Sequence, residues 1–367
     1  MNVPFKIPFY AKIALIFISI LAMVFTLHIG QHIIVPILYA SIIAILLNPL
    51  VNFLILKKIN KIIAISLAMV VAIFVVFGAF YIISAQVSMF SETYPKLIEK
   101  FNTKSSELIL WISQKFNVNE LKVNQWIVES ETKALNNLAI GETLSEVTRM
   151  LVIGMLLPVY LFMILYYKPL LLEFIRKLFR PEYHIAVAEV LVNTKKIIQG
   201  YLVGLFIEML IIATLNSIGL LLLGIDYAII LGITGAIINI IPYIGGIIAI
   251  ALPMIMAFVT KDSFTYSILV FCVYIFIQFI DNHYVIPKIV ASRVQLNALI
   301  SVIVVLIGSA LWGIPGMFLS IPLTAIIKVV FDHIDPLKPW GFLFGNVFPA
   351  NSNFSSIKLK KLLTKKN

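Results

Sequence analysis

Apolar residues run through the chain in long blocks, separated by short clusters of lysine, arginine, proline and glycine. Blocks at 13–29, 33–56, 62–88, 147–167, 197–224 and 264–286 are each continuous enough to read as a membrane-crossing helix. About 20 apolar residues cross a hydrocarbon core of about 30 Å. Strands of a membrane barrel would instead alternate apolar and polar at every second residue, and these blocks do not. Lys6 and Lys12 precede the first block, and no small-residue cleavage site follows it, so it is expected to remain as an anchor. The pattern predicts an all-α, polytopic transmembrane protein with about eight spans.

Two further blocks are interrupted. The block at 227–259 contains Pro242-Tyr243-Ile244-Gly245-Gly246, which divides it into 227–241 and 244–259. At 1.5 Å per residue these pieces are about 22–24 Å long, short of a full crossing. The block at 296–331 is interrupted at Trp312-Gly313-Ile314-Pro315-Gly316. Both are expected to be broken or re-entrant helical hairpins, dipping from opposite faces with their tips at the midplane. The other reading is a pair of ordinary proline-kinked spans packed by glycines. A broken helix frees backbone groups that lipid cannot satisfy, so protein, water or a polar solute must. A pair of such segments points to a transport site. Asn239, Pro242, Tyr243, Gly245 and Gly246 on one hairpin, and Gly313, Pro315 and Gly316 on the other, are the candidate substrate-binding positions. Gly219 lies away from the breaks and is expected to accept alanine more readily than Gly245 or Gly316 accept bulk.

Residues 89–146 depart from the block pattern. They hold six lysines and eight glutamates, with Leu97, Ile98, Phe101, Leu108, Ile109 and Ile112 at helical spacing. A small helical domain outside the lipid is expected, serving as a spacer, a lid or a contact between copies in a homo-oligomer. Residues 170–196 set Leu171, Leu172, Phe174, Ile175 and Leu178 against Arg176, Lys177 and Arg180, as in a helix lying in the headgroup layer. The tail "KLKKLLTKKN" reads as a cationic segment near anionic lipid.

Composition strengthens the membrane reading. Of 367 residues, 61% are hydrophobic and 12% charged, against about 25% charged in soluble domains. Mean hydropathy is +1.04. The net charge of +11 comes from cations in short loops beside the spans, not from a nucleic-acid surface. Lys57, Lys58, Lys61, Lys168, Arg176, Lys177, Arg180, Lys195, Lys196, Lys288 and Arg293 fall on one side if both termini are cytoplasmic, which places 89–146 outside.

One cysteine, Cys272, forms no internal disulfide, and the five histidines lack ligand spacing, so no metal or cofactor is expected. No phosphate-cradling G-x-x-x-x-G-K-[ST] motif and no catalytic constellation stands out, so neither an ATPase nor another enzyme is expected. Ionisable residues within lipid-depth segments are costly and usually face a cavity or partner. Glu208 is the strongest of these. Asp226, Asp281 and His283 complete the candidate ion-coupling set. Asn216 and Gln278 also fall in apolar surroundings, and Lys328 is expected to snorkel.

"IINIIPYIGG", "FIDNHYVIPKIVASRVQLN" and "WGIPGMFLSIPLTAIIKVV" occur in that order, with "GYLVG" at 200–204. The ordered set resembles the signature of the autoinducer-2 exporter family of bacterial membrane proteins, from the fourth span to about residue 336. Gly246 stands where many members have proline, and Ser292-Arg293 where glycine often precedes the basic residue. The resemblance implies a multi-pass inner-membrane transporter. Some members export the quorum-sensing furanosyl signal autoinducer-2, and others are sodium(lithium)/proton antiporters. The expected organisation is N-terminal spans at 1–88, an extracytoplasmic domain at 89–146, a transport core at 147–336 and a basic cytoplasmic tail at 337–367. The expected function is export of a small polar signal or metabolite by alternating access, without an ATPase of its own. A sodium(lithium)/proton antiporter and a non-transporting scaffold acting through 89–146 are the alternatives. Expected partners are a small polar solute or a monovalent cation or proton, the lipid bilayer and further copies of the chain.

Overall fold

The computed structural model describes residues 8–116, 140–242, 244–261 and 263–346. These are almost wholly helical. In chain order they form α1 (Phe9–Ile29), α2 (Gln31–Leu56), α3 (Lys61–Phe116), α4 (Ile140–Leu178), α5 (His184–Leu222), α6 (Ala228–Asn239), α7 (Ile244–Thr260), α8 (Thr265–Ile280), a π-helical run Asp281–Ala291, α9 (Ala298–His333) and α10 (Lys338–Phe344). Seven helical stretches are long and apolar enough to cross a membrane, and the shorter α6–α7 pair is an eighth apolar segment. Large apolar side chains cover the outside: α1 has no buried residue, and Phe17, Phe25, Phe74 and Phe77 are exposed. Such a surface belongs against lipid or protein, not water. The fold is an all-α polytopic membrane protein.

Local chemistry sets several boundaries. Asn60 accepts from the Ile62 amide at 2.9 Å and caps α3. Asn297 caps α9 by accepting from Ile300 at 2.9 Å, and its own amide donates to the Leu343 and Gly345 carbonyls, folding α10 back onto α9. The π-helical run begins at Asp281 and contains Pro287. Proline has no N–H for an i−4 bond, and a widened turn accommodates it. The span expected at 264–286 therefore continues as helix to Val294.

Of five packed groups among the described residues, two are the largest. Ala40, Ala44, Ala64, Ile65, Ala68 and Leu161 join α2, α3 and α4. Leu220, Leu231, Ala249, Met256, Val270 and Tyr274 join α5 through α8. Small residues let the backbones close: a Cβ on Gly232 would lie 2.6 Å from the Ser217 nitrogen. Helix α5 is the hub, packing on α2, α6, α8, the π-helical run and α9.

Two regions differ from expectation. The headgroup helix expected at 170–196 is not a separate element. Residues 170–178 extend α4 through Pro169, and α5 begins at His184 after a turn at Pro181–Tyr183. Both arrangements share a 3.6-residue apolar period, which marks no boundary of its own. Helix α3 runs 56 residues without a break, so the segment after residue 88 begins as a continuation of the third span. Residues 117–139, and the basic tail from 347 onward, lie outside the described residues.

Candidate functional site

Both interrupted blocks reverse. In the first, α6 ends at Asn239, the chain turns through Ile240-Ile241-Pro242, and α7 returns antiparallel. The turn is held by the Ile241 amide to the Ile238 carbonyl at 3.0 Å and the Gly245 amide to the Ile241 carbonyl at 3.0 Å. Gly245 sits directly against α6: a Cβ there would collide with the Ile238 carbonyl and lie 2.9 Å from Asn239 Cα. In the second block, Gly313 has φ 63 and ψ −141, a region essentially reserved for glycine. Gly316 then lies against the backbone of Gly308, eight residues earlier. A straight helix would separate those residues by about 12 Å, so α9 is itself a hairpin with arms at 298–312 and 314–333.

The first reversal assembles polar groups from three elements. Asn239, the last residue of α6, donates to Asp281 Oδ2 at 3.2 Å. Gln278 lies one turn before Asp281. Its Oε1 and Asn239 Oδ1 both converge on Gly246, each 3.4 Å from where a Cβ would stand. The absent side chain leaves room between two amide oxygens. Asp281 is 1% exposed, and its Oδ1 has no hydrogen-bond partner among the described residues. Glu208, on α5, is 7% exposed and within electrostatic reach of Asp281. Among the described residues no lysine, arginine or histidine pairs with either carboxylate.

Among the described residues three more buried polar atoms lack partners: Asn216 Oδ1 on α5, Thr234 Oγ1 on α6 and Tyr274 OH on α8. Asn216 follows Glu208 by about two helical turns, and Tyr274 precedes Asp281 by about two. Thr234 precedes Asn239 in the same sense. All three are displaced from the carboxylates toward the end of the molecule where α5 turns into α6 and α7 into α8. They form a polar column leading away from the tip. Buried polar groups are nearly always paired, so four orphaned atoms on three adjoining helices and the start of the π-helical run mark the place as unusual.

The second reversal has different surroundings. The Pro315 carbonyl accepts from Tyr39 OH at 3.1 Å, and the Tyr39 ring stacks on Phe318. Trp312 Nε1 donates to the Leu27 carbonyl at 3.0 Å, and His28 Nδ1 lies 3.1 Å from the Leu311 carbonyl. Helices α1 and α2 therefore satisfy the freed backbone. The Pro315 carbonyl meets α2, Gly316 meets α9 itself, and α1 meets Leu311 and Trp312, while a Cβ at Gly313 would touch nothing within 4 Å. None of these groups belongs to the first tip.

Two candidate ion-coupling residues stand apart. Asp226 is exposed on the α5–α6 turn. His283 is exposed, bonds the Phe279 carbonyl at 3.0 Å and stacks on the Phe279 ring at 4.2 Å. Its side chain points away from Asp281, two residues earlier. Tyr243 lies outside the described residues. Gln278 was legible only as a polar residue among apolar neighbours. Trp312 was marked only as part of the second break, and Tyr39 carried no signal, because aromatic residues are ordinary in lipid-facing helices.

Comparison with known proteins agrees with this architecture. The AI-2E family transporter profile matches residues 15–335. YueF of Bacillus subtilis, named as a transport protein without a stated substrate, is 27% identical over 314 residues, covering 82% of this chain and 83% of its own. YhhT of Escherichia coli K12, named likewise, is 23% identical over 314 residues, 85% and 87% of the two chains. TqsA of Escherichia coli K12, named as an AI-2 transport protein, is 24% identical over 304 residues, 83% and 87% of the two chains. A match across nearly the whole chain, on helices that reverse at the glycine and proline clusters, places this membrane protein in the AI-2E transporter family.

Proposed function

We propose that the chain exports a small polar solute of the autoinducer-2 type, through a site between α5, the α6–α7 tip and the start of the π-helical run. One observation carries the proposal: Glu208 on α5 and Asp281 at the start of the π-helical run are both buried, those two elements pack on each other, Asn239 bonds Asp281, and no cation among the described residues pairs with either carboxylate. A buried carboxylate without a counter-charge is costly. Such a pair persists where a proton, a cation or a hydrogen-bonding solute completes it. A compact furanosyl polyol presents several hydroxyl donors, which suit two carboxylates and the amide oxygens of Asn239 and Gln278. The name of TqsA supports this solute class. The sequence has no phosphate-cradling motif, so transport runs downhill or is coupled to an ion gradient. In alternating access the α6–α7 hairpin moves against α5 and exposes the site to each face in turn. The short-loop cations favour cytoplasmic termini.

The same carboxylates favour a second reading, a sodium(lithium)/proton antiporter, because oxygen ligands and exchangeable protons are what that reaction needs. Proteoliposomes separate the two. Labelled autoinducer-2 loaded inside and released faster than from protein-free vesicles supports export. A sodium pulse that moves a lumenal pH dye, with no autoinducer-2 flux, supports the antiporter. Neither signal, with function surviving Asp281→Asn but not deletion of 89–146, would favour the scaffold.

A further inference from the structure

Helix α7 is the returning arm of the first hairpin and carries Gly245 and Gly246. Its other end is unusual. The last carbonyls of any helix lack intrahelical donors and are commonly closed by a glycine in the left-handed conformation. No glycine follows Thr260 closely; the next residues are Lys261, Asp262 and Ser263. The cap comes from another helix. Lys100 Nζ, on α3, donates to the Phe258 carbonyl at 3.1 Å, the Val259 carbonyl at 3.0 Å and the Lys261 carbonyl at 2.7 Å.

An ammonium has three N–H donors, and here each has a carbonyl. The positive charge also sits at the negative end of the α7 dipole. The planar, forked guanidinium of arginine suits carbonyls clustered around one point less well than a compact ammonium does. Lys261 does not compete, because its own Nζ lies over the Tyr266 ring at 5.7 Å. Lys100 stands fifteen residues beyond Ala85, where the apolar span of α3 ends. It belongs to the continuation of α3 that leads toward residues 117–139, and α3 also packs directly on α6 and α7.

We infer that Lys100 is a positioning residue that latches the far end of the hairpin. Through it the segment beyond the third span sets the placement of α7, and so the placement of Gly245 and Gly246 at the polar site. The inference rests on the reading of that hairpin as the transport element. Under it, the segment beyond the third span holds one end of a helix whose other end meets the solute. The α6–α7 hairpin is otherwise held along its length, by the Gly232–Ser217 approach and by Ser267 Oγ donating to the Met254 carbonyl at 3.1 Å. Loss of the latch therefore frees the end of α7 without dissolving the hairpin.

The test is amide hydrogen exchange of the full chain in lipid nanodiscs, read on peptides covering 250–261. Lys100→Met should raise exchange there about tenfold or more, with peptides from α2 and α9 unchanged. Lys100→Arg should fall between that variant and wild type. Should Lys100→Met fail to insert, Lys100→Cys in a Cys272→Ser background offers a second route. Alkylation with 2-bromoethylamine rebuilds an ammonium at nearly the original reach and should restore protection. Unchanged exchange in Lys100→Met, or no recovery on alkylation, overturns the latch. Exchange reports the latch whether or not a solute has been identified. Raised exchange in a protein that moves no autoinducer-2 would count against the transport reading while leaving the latch in place.

Discussion

At the first reversal Asn239 donates to Asp281, Glu208 stands nearby, and Asp281 Oδ1 has no partner. At the second, Tyr39 closes the Pro315 carbonyl, and Trp312 fastens the tip to the Leu27 carbonyl. The two reversals use the same residue types and answer the cost of broken helix differently. The second is completed by its neighbours, Tyr39 from α2 at the Pro315 carbonyl and His28 from α1 at the Leu311 carbonyl. The first collects amides and carboxylates that its neighbours leave unsatisfied. A sequence break therefore identifies where backbone is freed, but not what satisfies it. The satisfying groups come from helices remote in sequence: Tyr39 is 276 residues from Pro315. Of the pair, the first hairpin is the one to place at the solute and the second the one to regard as anchored.

The strongest challenge to both hairpins is bulk at the contact glycines. Gly316→Val drives a side chain into the Gly308 carbonyl, and Gly245→Val drives one into the Ile238 carbonyl. Backbone cannot yield as a flexible side chain can, so the cost exceeds the ~1–3 kcal/mol of ordinary overpacking. Either variant should lose most folded, membrane-inserted protein, read by fluorescence size-exclusion of detergent extracts. The control is Gly78→Ala, where a Cβ meets nothing within 4 Å. Gly219 does not serve as that control, contrary to the expectation from its position. Its Cβ would lie 2.5 Å from Val273 Cγ1 on α8, a stiff β-branched neighbour, and Gly219→Ala should itself be destabilising. A near-normal yield of Gly316→Val would show that the α9 reversal is not the folded state.

The second challenge is to the charge at the first tip. Glu208→Gln keeps the shape and a hydrogen-bonding head but removes the ionisable group. The variant should insert normally, while its transport rate loses most of its dependence on pH. A single controlling protonation changes a rate by up to about tenfold per pH unit, and that slope should flatten. A wild-type profile retained in Glu208→Gln would assign the residue to packing. No comparable effect is expected at the second tip, where the described contacts include no carboxylate.

Much of this was legible in the chain. The reversals were marked by Pro242-Tyr243-Ile244-Gly245-Gly246 and Gly313-Ile314-Pro315-Gly316 because freed backbone needs glycine and proline locally. Burial of Glu208 was legible because a lone carboxylate in an apolar run has few places to go. The direction of a side chain was not. Asp281 and His283 are two residues apart, about 200° around a helix, so the period sets them on opposite faces. It does not say which of the two faces is inward, because both residues are polar. The Lys100 cap was equally hidden, since one lysine among six in residues 89–146 carries no mark of its partner.

A smaller effect should come from the aromatic closure of the second tip. Tyr39→Phe keeps the ring stacked on Phe318 but removes the donor to the Pro315 carbonyl. One net hydrogen bond contributes ~0.5–1.5 kcal/mol. The thermal midpoint of the purified protein should fall by a few degrees, with transport per folded molecule little altered. A large transport defect at unchanged stability would move the second tip into the solute path.

The smallest expected change in stability, and the sharpest contrast with Tyr39, is at Tyr274. The two tyrosines invite the same substitution and differ in one respect: Tyr39 OH has a protein partner, whereas Tyr274 OH is buried without one. Removing an unpartnered buried hydroxyl removes a desolvation cost, so Tyr274→Phe should leave the thermal midpoint unchanged or raise it slightly. If the column of Asn216, Thr234 and Tyr274 conducts solute, protons or ions away from Asp281, the same variant should slow transport several-fold. Thr234→Val, which replaces a hydroxyl with a methyl of similar size, should behave alike. In the column transport falls while stability holds, whereas at the second tip stability falls while transport per folded molecule holds. Were Tyr274→Phe to lower stability as much as Tyr39→Phe, its hydroxyl would have a partner in the folded protein. The column would then be ordinary packing.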